Sequence, residues 1–222
     1  MALQNVSDAR RQVLHRRIRI IVAVTIGYNL VEAIIAITAG TAASSAALVG
    51  FGLDSTIEVL SAAAVAWQFT RRAPERWEKP TLRVIALAFF ALAVYVTATS
   101  VLALIAAVEV QHSTVGIILT ALSVVVMPLL SYVERRAGRE VGSATAVADS
   151  KQTLVCTYLS AAVLVGLVLN STLGWWWADS IAALVIAAFA VREGVEAWKG
   201  DACATSVGMI LEDDHEAEGH PH

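Results

Sequence analysis

Two carboxylates four residues apart, Asp54 and Glu58, lie inside an otherwise apolar stretch, AALVGFGLDSTIEVLSAAA, that runs from Ala46 to Ala64. At that spacing they share one face of a helix, one turn above the other. The surrounding run is long enough to cross a bilayer, so both acids fall close to the midplane. Each costs roughly 2.5 to 3.5 kcal/mol there on insertion scales, so a bound partner or a function is the default reading of such a pair. An i, i+4 carboxylate pair can place two hard oxygen ligands on one cation, or pass a proton.

The elements that must hold this pair are legible from composition. With 57% hydrophobic and only 16% charged residues among 222, and a mean hydropathy of +0.67, the chain is not a soluble domain. Its net charge of -3 gives no nucleic-acid signature. The opening ALQNVSDARRQVLHRRIR is polar and basic and has no signal-peptide pattern. The two cysteines, Cys156 and Cys203, give no disulfide framework.

Six stretches reach the roughly 20 residues a hydrocarbon core demands. They cover residues 18–40, 44–69, 82–108, 114–133, 143–170 and 175–196. The connections after spans one, three and five are very short and hold no Lys or Arg, whereas all 16 basic residues fall on the other side or at the near end of a span that meets it. The positive-inside rule then puts both termini in the cytoplasm. Trp175, Trp176 and Trp177 open span six at its outer end, where an aromatic belt belongs. The expected fold is an all-α membrane protein of six transmembrane helices with no separate soluble domain. Residues 1–17 form a basic cytoplasmic segment, 18–198 the membrane domain and 199–222 an acidic, His-containing tail that reads as disordered.

Polar residues inside the spans concentrate on four of them. Span one has Tyr28, Asn29 and Glu32; span two has Asp54, Ser55, Thr56 and Glu58; span five has Asp149, Lys151, Gln152 and Cys156; span six has Asp179 near its outer end. Spans three and four have almost no ionisable residue in their cores and are expected to pack around a pathway lined by the others. Span two descends with its midpoint near Thr56 and span five ascends with its midpoint near Cys156. Antiparallel packing therefore brings Asp54, Glu58, Gln152 and Cys156 to one level. Two carboxylates, a thiolate and an amide oxygen form a mixed oxygen and sulfur set that suits Zn²⁺, with Mn²⁺, Co²⁺, Fe²⁺ and Cd²⁺ as alternatives. Magnesium is less natural beside a cysteine, and calcium wants more oxygens. Asp149, Glu32, Asn29, Asp179 and Lys151 are auxiliary positions for the ion or for protons.

These residues resemble the cation diffusion facilitators, a family of six-span carriers of Zn²⁺ and related ions with both ends cytoplasmic, usually exchanging metal for protons. The family's second span reads Ser-x-Ala-Leu-x-x-Asp-x-x-[His/Asp]-x-x-x-Asp. Here Ser45, Ala47 and Leu48 fit, Phe51 replaces the first Asp, and Asp54 and Glu58 fall on the two ligand positions. In the fifth span, Ala-Asp-x-x-His-x-x-x-Asp, Ala148 and Asp149 match while Gln152 and Cys156 take the ligand positions. Asn29 matches an Asn common in the first span, and Trp177-Ala178-Asp179 looks like the opening of the sixth, with Ser180 for Pro. The family's usual cytoplasmic domain does not follow the sixth span, so the chain is most similar to a short zinc-efflux branch. The resemblance implies a proton-coupled exporter in the plasma (inner) membrane, acting as a homodimer and using no prosthetic group.

Each residue also has a plainer reading. Asp54 and Glu58 could be a structural pair satisfied by neighbouring Ser and Asn, Cys156 a small buried hydrophobe, and Gln152 a bond between helices. Lys151 could snorkel to the cytoplasm or serve as an internal counter-charge, Asp179 could be a helix-end group, and His215, His220 and His222 a solvated tail. Two other functions fit the same residues: a proton-coupled carrier of a small organic cation, or a non-transporting membrane scaffold or sensor. No nucleophile–base arrangement or cofactor motif points to an enzyme.

Overall fold

A computed structural model describes residues 8–69, 75–141 and 144–199. Among these, every regular element is a helix: α1 (Asp8–Ala43), α2 (Ala46–Phe69), α3 (Glu75–Ala106), α4 (Thr114–Val141), α5 (Ala144–Leu173) and α6 (Trp176–Lys199). The six expected spans fall on these six helices. In hydrocarbon no water is present to satisfy backbone amides and carbonyls, so a spanning segment must close its hydrogen bonds internally. α1 to α5 each contain a window long and apolar enough to cross a membrane. The 24 residues of α6 reach about 36 Å, which is also sufficient length. Its apolar run is interrupted at its two ends, by Asp179 on one side and by Arg192, Glu193 and Glu196 on the other.

The connections opposite the basic side are tight. α1 ends with Ser44 in the left-handed region (φ 55°), its amide 3.4 Å from the Thr41 carbonyl, and the Ser45 amide bonds the Gly40 carbonyl at 2.9 Å. That pair of bonds is a Schellman ending. Ser45 is simultaneously the N-cap of α2, because its Oγ accepts from the Leu48 amide at 3.0 Å. Two residues thus end one helix and start the next, which fixes α1 against α2. The connection after α3 begins with Ala107 at φ 49° and is pinned from both sides. The Gln111 amide donates to the Ala43 carbonyl at 2.9 Å, and Asn170 Nδ2 donates to the Val110 carbonyl at 2.8 Å.

The helices form a closed ring in the order α1, α4, α5, α6, α3, α2, with α2 also reaching across to α5 and α6. α2 is therefore the central element, and the core gathers around it: Leu48 and Phe51 from α2, Val96 from α3, Leu159 and Val163 from α5, and Ile186 from α6. Small residues let α1 and α2 meet closely. A Cβ at Gly40 would stand 2.7 Å from the Val49 amide nitrogen, and one at Gly52 would stand 2.9 Å from that of Ile37. Large apolar side chains such as Val84, Leu87, Val94, Ile105, Ile118, Val125 and Leu129 point outward. A continuous apolar exterior of this kind is a lipid-facing surface. Trp175 and Trp177 stack with ring centroids 5.1 Å apart at the end opposite the basic residues, and Arg83 lies 5.7 Å over the Trp198 ring at the basic end.

One expectation needs revision. α4 does not pack merely as apolar support: Thr120, Ser123 and Ser131 are buried on it, and Ser123 enters the polar network described below.

Candidate metal site

Three helices deliver the central residues. α2 carries Asp54 and Glu58 one turn apart, α5 brings Cys156 to the same level, and α1 adds Asn29. Asp54 and Cys156 are buried and Glu58 is partly buried. One donor atom each from Asp54, Glu58 and Cys156 lies within 4.8 Å of the other two. Among the described residues this is the grouping of His, Cys, Asp and Glu that could hold an ion. Cys156 Sγ is 2.6 Å from Glu58 Oε1, and Asn29 Nδ2 donates to Glu58 Oε2 at 2.7 Å. Asn29 Oδ1 is buried and has no hydrogen-bond partner. A buried acceptor left unpaired carries the full cost of its lost hydration.

The donor chemistry fits a borderline-soft ion. Oxygen and sulfur ligands at zinc distances of about 2.0 to 2.3 Å stand roughly 3.3 to 3.8 Å apart around a tetrahedral centre. The observed donors lie no more than 4.8 Å apart, a spread of the same order. Of the four residues expected at one level, the structure brings Asp54, Glu58 and Cys156 together. Asp149, Lys151 and Gln152 fall on α5, but their side chains lie outside the described residues, as do Cys203 and the tail histidines.

Glu32 forms a second polar centre one turn along α1 from Asn29. It is 1% exposed. Its Oε2 accepts from Ser55 Oγ of α2 at 2.9 Å, and its Oε1 accepts from Ser123 Oγ of α4. Tyr28 Oη lies 2.8 Å from the same Ser123 hydroxyl. Glu32 therefore ties three helices together through hydroxyls, and no basic side chain among the described residues pairs with it. Asn29 and Glu32 share a face of α1 but turn to different partners.

Asp179 is elsewhere, at the end of the bundle opposite the basic residues. It is 1% exposed, its Oδ1 accepts from Ser45 Oγ at 2.5 Å and its Oδ2 from the Ala47 amide at 3.3 Å. A residue in the first turn of α6 thus caps the N-terminus of α2, where the helix dipole favours a negative charge. We expect Asp179→Ala to leave Ser45 and the Ala47 amide without their buried acceptor and to destabilise the folded bundle by about 1 to 3 kcal/mol. A thermal melt in detergent checks this.

Comparison with known proteins agrees with this architecture. Residues 20–200 match the family described as the cation efflux transmembrane domain. A cation-efflux pump of Shewanella oneidensis, FieF, is 36% identical over 80 residues, a stretch covering 36% of this chain and 27% of the pump. The match thus spans about a quarter of that relative's length.

Proposed function

This chain belongs to the cation efflux family, and on that premise we propose that it carries a divalent transition-metal ion, foremost Zn²⁺, out of the cytoplasm in exchange for protons. The observation that carries the reading is the convergence of Asp54, Glu58 and Cys156, with the unpaired Asn29 Oδ1 on the residue that binds Glu58. The ion enters from the basic side and binds between α2 and α5. Asp54, Glu58 and Cys156 give up their protons to bind it, and rocking of the helices opens the site outward. Protons returning to the same donors release the ion and reset the carrier, because metal and proton compete for the same lone pairs.

In this scheme Asn29 holds Glu58 in place by donating Nδ2 to its carboxylate, and its unpaired Oδ1 is offered to the ion. Gln152, one turn before Cys156 on α5, is assigned as a further donor, and Asp149, Lys151 and Glu32 to the path of ions and protons. Asp179 is assigned to the outer frame. Residues 18–198 are the transporting unit, flanked by the segments 1–17 and 199–222. The protein sits in the inner (plasma) membrane with both ends cytoplasmic, a placement supported by Lys79, Arg83, Arg135, Arg139, Arg192 and Lys199 at the helix ends on one side. A homodimer rests on the family resemblance alone.

The test is Zn²⁺ flux into proteoliposomes holding the purified full chain under an imposed proton gradient. Saturable, gradient-driven flux is expected. Its absence for Zn²⁺, Mn²⁺, Co²⁺, Fe²⁺ and Cd²⁺ alike, from well-folded protein, would remove the metal reading and favour the organic-cation carrier or the scaffold.

Competition also fixes the sign of the pH dependence. Zn²⁺ affinity should rise with pH, by about tenfold per pH unit for each proton the ion displaces, and level off once the donors are deprotonated. Isothermal titration in two buffers of different ionisation enthalpy counts those protons. Zero proton release across this range would contradict the exchange mechanism.

A further inference from the structure

The last turns of α4 hold a feature that the ion site does not use. Tyr132, Arg135, Arg136 and Arg139 line a cavity of about 270 Å³. Spaced at i, i+3, i+4 and i+7, they form one stripe along the helix. The apolar span of α4 ends at Val133, so the stripe begins at the membrane boundary and continues into the headgroup layer. Among its described lining residues there is no carboxylate. Arg135 Nε is shut off from solvent and has no acceptor. A guanidinium donor in that condition is costly, and Arg rather than Lys is the side chain whose planar fork matches a phosphate. Tyr132, 64% exposed, has the amphipathic ring that favours this depth.

We propose that this stripe binds a phosphate group, and that the group is the headgroup phosphate of an anionic membrane phospholipid. Three arginines supply the charge, the Arg135 guanidinium turns its fork toward the phosphate oxygens, and Tyr132 lies alongside the start of the acyl chains. The position argues for a lipid over a soluble anion, since the cavity opens where the apolar span stops. α4 packs on α5, the helix that carries Cys156, so a lipid held here braces the helix next to the ion site. The inference does not depend on which ion is carried.

The test is native mass spectrometry of the purified full chain, titrated in detergent with phosphatidylglycerol, with phosphatidylcholine, and with inorganic phosphate as competitor. Retained phosphatidylglycerol adducts, well above phosphatidylcholine, are expected for the wild type. Arg135→Gln and Arg139→Gln should each weaken them about fivefold, and the double variant about 25-fold. Arg135→Lys, which keeps the charge but loses the fork, should weaken them less than Arg135→Gln. Arg192→Gln, a charge removed on the same side but outside the stripe, should leave them unchanged. Displacement by millimolar phosphate would uphold the phosphate chemistry and assign the occupant to a soluble anion. Equal adducts in wild type and double variant, an equal loss in Arg192→Gln, or no preference for the anionic lipid would overturn the proposal.

Discussion

Asp54→Asn and Glu58→Gln should each reduce Zn²⁺ flux in proteoliposomes by about 100-fold or more, with the protein still helical and monodisperse. Both substitutions keep the shape of the side chain and delete the charge that a divalent ion needs. Removing a group that only supports a metal ligand typically costs 10- to 100-fold in affinity, so loss of a ligand itself should meet or exceed the upper end of that range. The folded state should tolerate both changes. A neutral amide at position 54 or 58 is less costly at mid-membrane than an isolated carboxylate. Glu58→Gln also retains an oxygen that can accept from Asn29 Nδ2, now at 2.7 Å. The scaffold reading predicts the reverse pattern, with Asp54→Asn harming folding and flux meaningless. Thermal melts beside the flux assay separate the two.

Cys156→Ser is the second large effect, and it concerns which ion is carried. Sulfur favours Zn²⁺ and Cd²⁺, whereas a hydroxyl in its place leaves a site of oxygens that suits harder ions such as Mn²⁺. Cd²⁺ affinity should fall by about tenfold or more relative to Mn²⁺ in the variant, because a thiolate is lost along with its charge. Competition binding with both ions measures the ratio directly. An unchanged ratio would mean that the thiol, though 2.6 Å from Glu58, takes no part in binding. It would then be a small buried side chain that happens to border the acids.

Much of this arrangement was legible beforehand because the bilayer leaves few solutions. A run of apolar residues that long must be helical, and the side on which Arg and Lys collect orders the helices. Asp54 and Glu58 stood out because acids are expensive at that depth, and Cys156 followed from matching the midpoints of two antiparallel helices. Ser123 was not legible. One hydroxyl in an apolar span costs little and gives no periodic signal, so only the packing of α4 on α1 shows that it holds Glu32. Asp179 was readable as a helix-end group, but the helix it caps belongs to a different part of the chain, 132 residues away at Ala47. Such a contact depends on tertiary packing that spacing alone does not encode. The unpaired oxygen of Asn29 is likewise invisible in sequence, since it is defined by which end of the amide meets Glu58.

The central claim is that a transported metal ion is held by Asp54, Glu58 and Cys156. X-ray absorption at the zinc edge, on the purified protein loaded with one equivalent of Zn²⁺, addresses that claim at the atoms themselves. The account predicts one sulfur at about 2.3 Å and the remaining ligands oxygen or nitrogen at about 2.0 to 2.2 Å, four in all. The sulfur should vanish in Cys156→Ser, and the coordination should collapse in Asp54→Asn. A six-coordinate shell of oxygens without sulfur, or a spectrum identical in wild type and both variants, would contradict it.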